Sequence, residues 1–224
     1  MTRNLCLFDL DDTLLPIDSD HSWGKFMVRQ GWVDGDTFAR QNEVFFQHYK
    51  AGTLDIHAYI EFSTSPYRSR APDEQRAAQE RFMAEVVAPA LKPAALDLVR
   101  RHQGEGDLVA IVTATNEFVT RPIATAFGVE HLIAVGLERD PAGNITGRIE
   151  GVPSFREGKT VRTHEWLQGL GHQLQDFERV SVYSDSANDL PLLEMATHPV
   201  ATNPSAPLEA IARERGWRIL RLFD

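Results

Sequence analysis

Two acidic side chains near the start of the chain are spaced to do chemistry together. An apolar run at residues 5–8 breaks into Asp9, Asp11 and Asp12, and a short apolar run of this kind predicts a buried strand. In an extended chain Asp9 and Asp11 point the same way, because side chains of a strand alternate between its faces. Ligands of open α/β sheets bind at the C-terminal ends of the strands. The spacing therefore predicts two carboxylates side by side at a sheet edge, with Asp12 in a turn or helix cap.

Four more polar residues occupy comparable positions at predicted strand ends or helix starts. They are Thr113 after the apolar run 108–112, Lys159 at the start of a helix, and Asp185 and Asp189 just beyond the run 180–183. Because the carboxyl ends of parallel strands meet at one edge of a sheet, we expect these residues to approach Asp9 and Asp11.

Such a concentration of negative charge requires a cation. Two unit charges ~4 Å apart repel by roughly 1 kcal/mol in water and by about 4 kcal/mol at an effective dielectric constant of about 20. Mg²⁺ suits the site because it takes oxygen ligands, keeps several waters and bridges carboxylates to a substrate phosphate. The Lys159 ammonium adds a positive charge. The Thr113 hydroxyl and the N–H groups of Ala114 and Thr115, expected to head the next helix, would hold phosphoryl oxygens.

Strands and helices alternate regularly after residue 93. Strands are predicted at 5–8, 108–112, 132–135, 180–183 and 199–202, together with a hairpin that pairs 137–139 with 145–149. Helices are predicted at 94–102, 116–127, 159–170, 190–196 and 206–215. This alternation predicts an α/β fold with a doubly wound, parallel, Rossmann-like sheet.

The segment from residue 16 to 89 has a different character. Its aromatic and aliphatic residues recur at helical spacing and no convincing strand is visible. Breaks are expected at several glycines and at the Ser-Thr-Ser-Pro cluster 63–66, and a helix is expected at 73–87 with Pro72 near its start. We therefore predict a Rossmann-like catalytic core formed by 1–15 and 90–224, and an all-helical cap domain at 16–89 inserted after the first strand.

The composition is that of a globular chain with an excess of acids. Among 224 residues 42% are apolar and 25% are charged, with a formal net charge of −9. This charge, without a local Lys/Arg cluster, argues against a nucleic-acid partner, and no apolar run is long enough to span a membrane. Cys6 is the only cysteine, and the histidines lack zinc-site spacing, so His102 and most others are expected at the surface. We expect a cytoplasmic protein, monomeric or homodimeric.

The order of the motifs along the chain resembles that of a known superfamily. The chain supplies Asp-x-Asp-x-Thr at 9–13, then Thr113, then Lys159, then Asp-Ser-Ala-Asn-Asp at 185–189. This set resembles the four motifs of the haloacid dehalogenase superfamily, and the resemblance covers essentially the whole chain. The helical insertion resembles the cap of the phosphoserine-phosphatase-like branch, and the chain is similar to a subgroup with members assigned as histidinol-phosphatases.

The resemblance implies a phosphatase with a covalent intermediate. Asp9 would attack phosphorus to form an aspartyl phosphate, and Asp11 would protonate the leaving group and then activate water. Thr113 and Lys159 would stabilise charge on the transferred group.

The resemblance also implies a metal site. The acids expected around Mg²⁺ are Asp9, Asp11, Asp185 and Asp189. Direct ligands would be Asp9, the Leu10 carbonyl and Asp185, with Asp189 either a ligand or one layer further out. Asn188 is expected to position Lys159 or Asp189.

The substrate is the least constrained part of the prediction. Phosphoserine phosphatases bind the substrate amine with a glutamate shortly after the nucleophile, and Asp18 takes that position here with Asp20 close by. They hold the substrate carboxylate with a cap arginine, for which Arg68 is the nearest candidate, in a stretch interrupted by Pro66. His21 is as well placed to line the pocket as to cap a helix.

An acidic cluster without a recognisable carboxylate clamp fits a phosphate ester that bears an amine but no carboxylate. Histidinol phosphate is the preferred substrate, and Trp23, Phe45 and Tyr67 are candidates to flank its imidazole. Phosphoserine is the alternative substrate. From other functional classes, a phosphotransferase and a non-catalytic regulatory module that binds a phosphate ligand remain open.

Overall fold

The first strand of the chain is the central strand of the sheet. The computed structural model describes residues 4–223. The strands are β1 (Asn4–Phe8), β2 (Leu108–Asn116), β3 (His131–Arg139), β4 (Ile145–Glu150), β5 (Arg179–Ser184), β6 (His198–Thr202) and β7 (Arg218–Leu220). They form one sheet in the order β4-β3-β2-β1-β5-β6-β7. Leu7 pairs with Ala110 of β2 and with Val182 of β5, which explains why β1 is apolar throughout.

Helices lie between most of these strands. They are α1 (Ser19–Arg29), α2 (Gly35–Lys50), α3 (Ile56–Arg68), α4 (Pro72–Phe82), α5 (Ala88–Ala90), α6 (Pro93–Gly104), α7 (Glu117–Ala126), α8 (Glu157–Gly169), α9 (Leu190–Glu194) and α10 (Ala206–Glu214). The predicted α/β class with a doubly wound parallel sheet is confirmed. The antiparallel β3–β4 hairpin was predicted too, whereas the short strand β7 was missed, because three half-exposed residues give no periodic signal.

The connection from β1 to α6 contains only helices among its regular elements. The predicted break at 63–66 is wrong, since α3 runs through it. Pro66 has no N–H for the Phe62 carbonyl, but the Ser65 hydroxyl donates to that carbonyl at 2.7 Å. Helix α4 continues into a π-helical turn, Met83–Val87. One hydrophobic cluster contains both Phe26 of α1 and Ile111 of β2, and the division into core and cap domains stays a prediction.

The described helices include none that is both long and apolar enough to cross a bilayer. Strand β2 is longer than predicted, because it continues to Asn116. The Asn116 side chain accepts a hydrogen bond from the Val119 N–H at 3.2 Å and so caps α7. The first helical residue is therefore Glu117, which leaves Thr113 to Thr115 in extended backbone.

Candidate active site

Asp9 follows the central strand directly, and its neighbours fix its position. Its N–H donates to the Tyr183 carbonyl at 2.9 Å. Lys159 Nζ, at the start of α8, lies 2.7 Å from Asp9 Oδ1 and 2.7 Å from Asp189 Oδ2. Burial opposes the Lys159 charge, but the carboxylates of Asp189 and Asp9 outweigh it and raise the pKa of the ammonium. A permanent positive charge therefore lies between two acids.

Asp9 and Asp185 converge on the hydroxyl of Thr13. Thr13 Oγ1 lies 3.0 Å from Asp9 Oδ2 and 3.0 Å from Asp185 Oδ1, and it accepts a hydrogen bond from the Asp185 N–H. A hydroxyl has one proton, so it satisfies one of the two carboxylate oxygens. Burial and the charges of Asp9 and Asp12 raise the pKa of Asp185 well above its ordinary value. Two crowded oxygens that share one proton fit a hard divalent cation such as Mg²⁺.

Asp189 is engaged on the side of Lys159. Its Oδ2 accepts a second hydrogen bond from the Ser184 hydroxyl at 2.8 Å. Burial raises the pKa of Asp189 to about 6, although the Lys159 charge works in the opposite direction. These contacts place Asp189 one layer outside the Asp9–Asp185 pair.

Asp11 is held by two donors. Its Oδ1 accepts from the Ser19 N–H and its Oδ2 from the Thr115 hydroxyl, both at 2.8 Å. Burial, followed by the nearby charges of Asp18 and Asp9, raises the pKa of Asp11 well above its ordinary value. A raised pKa favours the protonated form, which is the form that donates a proton to a leaving group.

The loop after Asp9 is tied to a distant part of the chain. Asp12 has a left-handed backbone with φ 55°, and its carbonyl accepts from Asn203 Nδ2 at 3.0 Å. The same Nδ2 donates to the Thr13 carbonyl at 3.1 Å, and Asn203 Oδ1 accepts from the Leu222 N–H at 2.6 Å. One asparagine thus fixes the backbone on which Thr13 stands.

Thr113, Ala114 and Thr115 line the same cleft as Asp9 and Asp11. The prediction that Ala114 and Thr115 head a helix is wrong, because both lie in β2. The Thr115 N–H donates to Thr113 Oγ1 at 3.1 Å. This end of β2 therefore presents two hydroxyl groups to the cleft.

The cleft extends from these residues between the sheet edge and α1–α3. Its other lining residues are Asp18, Asp20, His21, Phe45, Phe46, Tyr49, Leu54, Ile56 and Tyr59. Burial and the charge of Asp20 raise the pKa of Asp18 to about 7, and burial and the charge of Asp11 raise that of Asp20 to about 7. Asp18 Oδ1 accepts from the His21 N–H at 2.7 Å. Neither buried oxygen of Asp20 has a hydrogen bond of ordinary geometry within the described part of the chain, although the Tyr59 hydroxyl faces this carboxylate and lowers its pKa.

Two residues predicted to bind substrate lie outside this cleft. Arg68 Nη1 donates to the Thr146 carbonyl at 2.6 Å, and at Gly147, where φ is +92°, a Cβ would lie 1.9 Å from that nitrogen. Arg68 is thus a contact between α3 and the hairpin, not a lining residue. Asn188 Nδ2 donates to the Tyr49 carbonyl at 3.1 Å and has no hydrogen bond to Lys159 or Asp189 among those described.

The aromatic predictions divide in the same way. Phe45 lines the cleft. Trp23 and Tyr67 do not, because they are fully buried against Phe118, with ring centroids 5.7 and 4.4 Å away. Both side chains lie on the faces of α1 and α3 that pack into the hydrophobic core.

A second acidic cluster lies at the opposite edge of the sheet. Asp107 precedes β2 and accepts from His102 Nδ1 at 2.6 Å, Asn4 Nδ2 at 2.8 Å and Arg179 Nη2 at 3.2 Å. His102, Glu105 and Asp107 could hold a metal by their mutual distances, but the Arg179 guanidinium already forms ion pairs with both carboxylates. The prediction that His102 lies at the surface is wrong, because it is buried.

The sequence matches a known protein family over most of its length. The family described as haloacid dehalogenase-like hydrolase matches residues 6–194, which include Asp9, Asp11, Thr113, Lys159 and Asp185. The chain belongs to this family. The matched range includes the acids at the C-terminal ends of β1 and β5.

Similar sequences and structures indicate the branch of the family to which this haloacid dehalogenase-like hydrolase belongs. It is 41% identical over 218 residues to a histidinol-phosphatase of Neisseria meningitidis serogroup C (strain 8013), covering 97% of this chain and 98% of the relative. A protein of unknown function from Bordetella pertussis Tohama I is similar with TM-score 0.94 and 50% identity over 100% of both chains. A substrate-bound phosphoserine phosphatase shares the fold with TM-score 0.66 and 16% identity, covering 98% and 93%. The hydrolase is a phosphatase of the phosphoserine-phosphatase-like branch.

Sequence reasoning assigned no individual role to several residues that shape this hydrolase's site. The hydroxyl groups of Thr13 and Ser184 bind its carboxylates. Thr115 was predicted to bind phosphate through its N–H, but the contact of its hydroxyl with Asp11 was not predicted. Thr13 and Ser184 were detectable, since each lies within five residues of a motif acid. Tyr49, Phe46 and Tyr59 come from the helical segment and reach the cleft only through the packing of α2 and α3.

Proposed function

We propose that the protein is a Mg²⁺-dependent phosphomonoesterase that acts through an aspartyl phosphate on a small amine-bearing substrate, preferably histidinol phosphate. The observation that carries the substrate assignment is the buried Asp20 carboxylate, which has no hydrogen bond of ordinary geometry and faces the cleft beside Asp9 and Asp11. The 41% identity to a histidinol-phosphatase supports the same choice.

The residues at the base of the cleft are suited to phosphoryl transfer. Asp9 is the nucleophile, and attack by its carboxylate on phosphorus breaks the bond to the ester oxygen. Lys159, fixed 2.7 Å from Asp9 Oδ1, holds positive charge next to the transferred group. The hydroxyl of Thr113 lines the same cleft and is available to the phosphoryl oxygens.

Asp11 supplies the proton chemistry. In the first step its carboxyl group donates a proton to the departing alkoxide, and in the second step its carboxylate takes a proton from the water that hydrolyses the aspartyl phosphate. The hydrogen bonds from Ser19 and Thr115 keep this side chain oriented while its charge changes.

Asp9 and Asp185 would hold the cation, and Asp189 would orient Lys159. The Leu10 carbonyl, predicted as a further ligand, instead accepts hydrogen bonds from the N–H groups of Leu14 and Leu15 at 2.8 and 3.0 Å. When bound, Mg²⁺ neutralises charge on the phosphate and aligns it with the nucleophile. Asp11 carries two hydrogen bonds of its own, so we assign it to proton transfer and not to direct metal binding.

The upper cleft suits an ammonium group more than a carboxylate. Its described lining residues include no Lys or Arg, and Arg68 is engaged with the hairpin. An ammonium next to Asp18 and Asp20 favours their ionised forms, because an opposite charge lowers the pKa of an acid. A substrate carboxylate would be repelled by the same two acids, which disfavours phosphoserine.

The aromatic walls suit a flat ring at the far end of the substrate. Phe45, Phe46 and Tyr59 line the cleft together with the two acids. Aromatic side chains gain from offset stacking on another ring. Histidinol phosphate carries a phosphate, an ammonium and an imidazole, and the cleft offers the motif acids, Asp18 with Asp20, and aromatic side chains to these three groups.

Steady-state kinetics with Mg²⁺ test this function. We expect kcat/KM for histidinol phosphate to exceed that for phosphoserine, and EDTA to abolish both activities. A charge-assisted hydrogen bond contributes roughly 1.5–3 kcal/mol, or about ten- to a hundredfold. Asp20→Asn should lower the preference for histidinol phosphate by about that factor and affect an aryl phosphate much less.

The exposed substitution Asp36→Asn, which removes the same charge from α2 at a distance from the cleft, is the matched control. A higher kcat/KM for phosphoserine, lost in Arg68→Ala, would refute the substrate assignment. Phosphate release that is diverted to an added alcohol acceptor would identify a phosphotransferase instead. Full turnover after metal removal would refute the role of Mg²⁺.

A further inference from the structure

His21 joins the cleft to a buried amide on the next helix. Its ring lines the cleft and stacks on Phe46, with centroids 4.4 Å apart and planes inclined by 18°. The side chain is 8% exposed. Burial and the charges of Lys25 and Lys50 lower its pKa, although Glu43 opposes them. A neutral imidazole therefore forms part of the wall near the aromatic end of the cleft.

The protonated nitrogen of this neutral ring is determined by Asn42. Asn42 is buried on α2, and its Nδ2 lies 3.2 Å from the His21 carbonyl oxygen and 3.1 Å from His21 Nδ1. A backbone carbonyl only accepts hydrogen bonds, so the Asn42 amide must turn its NH₂ group toward His21. Both amide protons are then used, and Nδ1 must be the acceptor. The ring proton consequently lies on Nε2.

The seat of this amide depends on Gly24. A Cβ at residue 24 would lie 2.6 Å from Asn42 Nδ2, closer than any non-bonded contact allows. Glycine on α1 thus leaves room for the amide that orients a residue of the same helix. The remaining donor, Nε2–H, is 3.6 Å from Glu43 Oε2, which is longer than an ordinary hydrogen bond.

We propose that His21 is a specificity-determining residue that reads the distal ring of the substrate, and that Asn42 is its positioning residue. The His21–Phe46 stack offers a flat surface to an aromatic ring, and Nε2–H offers a donor to a ring nitrogen that accepts. The substrate class is therefore an amino-alcohol phosphate that carries a planar nitrogen heterocycle. This inference rests on the proposed function, since it assigns the end of the substrate opposite the phosphate.

Two substrates separate ring-nitrogen recognition from simple packing. Histidinol phosphate and 2-amino-3-phenylpropyl phosphate share the phosphate, the ammonium and a flat ring, but only the first has ring nitrogens. One neutral hydrogen bond contributes about 0.5–1.5 kcal/mol, so we expect the wild type to favour the imidazole by roughly three- to tenfold in kcat/KM, mainly through KM.

Asn42→Asp tests the positioning role. A carboxylate cannot donate to Nδ1. At a pH high enough to keep the imidazole neutral beside this new charge, the ring proton therefore moves to Nδ1 and Nε2 becomes an acceptor. We expect the imidazole preference to disappear while kcat/KM for the phenyl substrate changes less than about twofold, within the non-additivity of single contacts. Gln41→Glu introduces the same charge one residue away on an exposed position and is the matched control. Gly24→Ala should reproduce the effect without altering either hydrogen-bonding side chain.

Nitrogen-15 NMR of the free protein provides a readout that a purely structural role would not change. The His21 proton should be found on Nε2 in the wild type and on Nδ1 in Asn42→Asp. An imidazole preference that survives both Asn42→Asp and Gly24→Ala would overturn this inference while the proposed function stands. Phosphoserine as the best wild-type substrate would overturn both. If Asn42→Asp fails to fold, Gly24→Ala carries the same test.

Discussion

The two edges of the sheet each carry an acidic cluster on the same three strands, and the clusters are built in opposite ways. Before β2, Asp107 is surrounded by donors from Asn4, His102 and Arg179. Burial would raise the pKa of Asp107, but these hydrogen bonds and charges outweigh it and hold the pKa below its ordinary value. After β1 and β5, the pKa values of Asp11 and Asp185 are raised by burial and by nearby acidic charges, which in both cases include Asp9.

The difference teaches how a structural cluster is distinguished from a reactive one. His102, Glu105 and Asp107 lie close enough together to bind a metal, but they lie at the edge where the Arg179 guanidinium already supplies positive charge. At the other edge, the acidic side chains Asp9, Asp185, Asp18 and Asp20 outnumber the basic side chains that pair with them. Among the described residues, Lys159 is the one Lys or Arg that forms an ion pair in this cluster. An excess of buried negative charge, and not the proximity of possible ligands, distinguishes the edge that we propose binds a cation and a substrate.

The largest effect that this comparison predicts is on catalysis. Asp11→Asn should reduce kcat by about 10²–10⁴-fold, because general acid–base catalysis contributes that much, and it should leave the free energy of unfolding unchanged or higher. Kinetics at saturating substrate and urea denaturation measure the two quantities. Asp12→Asn, which alters the exposed neighbour, is the control. A loss of less than tenfold in Asp11→Asn would remove the proton-transfer role.

The opposite edge should respond in stability and not in turnover. Asp107→Asn weakens charge-assisted hydrogen bonds from His102 and Arg179, so we expect the free energy of unfolding to fall by about 2–3 kcal/mol. The value of kcat should stay within about twofold, since single contacts far from the site act almost independently. Urea denaturation checks this. Glu105→Gln, which alters the half-exposed partner of the same arginine, should cost at most about 1 kcal/mol.

The last contrast is a pair of opposite pH dependences in the metal-free protein. Asp20 has a folded pKa of about 7 against an ordinary 3.8, so the folded state holds its proton between these values and the unfolded state does not. Stability therefore falls as the pH rises from about 4 to 7. Asp20→Asn should raise Tm at pH 8, and the gain should shrink toward pH 4.

Asp107 has the reverse sign. Its folded pKa is depressed, so its stabilisation is present above the ordinary value near 3.8 and is lost as the pH falls through the folded value. Asp107→Asn should accordingly lower Tm at pH 8 and lower it less in strong acid. Thermal melts of both variants across this range measure the two trends, and parallel trends would contradict the contrast between the edges.

Local patterns were sufficient to predict the motif acids and most of the framework. The apolar run before Asp9 and the one before Asp185 specify buried parallel strands, and sheet topology then brings their ends together. The predicted helix break near Pro66 was wrong, because the Ser65 hydroxyl donates the hydrogen bond that the missing N–H of Pro66 would have made. This compensation depends on one side-chain rotamer.

Residues whose partners are distant in sequence were not predictable in this way. Arg68 contacts Thr146, 78 positions away, and His102 contacts Tyr183, 81 positions away. Their side chains follow the packing of whole elements, which local spacing does not encode. The same holds for Asn42, whose proximity to His21 follows from the way α2 packs on α1.

The asparagine that fixes the loop after Asp9 also sets an order of events during synthesis. Asn203 and the carbonyl of Asp12 that it binds are 191 positions apart. Asp9 and Asp11 leave the ribosome long before Asn203, which anchors their loop, is synthesised. Strand β5, which pairs directly with β1, also emerges late. The growing chain therefore carries these acids unassembled until β5 and Asn203 have been synthesised. The complete set of contacts at the site can form only after Asn203 has left the exit tunnel.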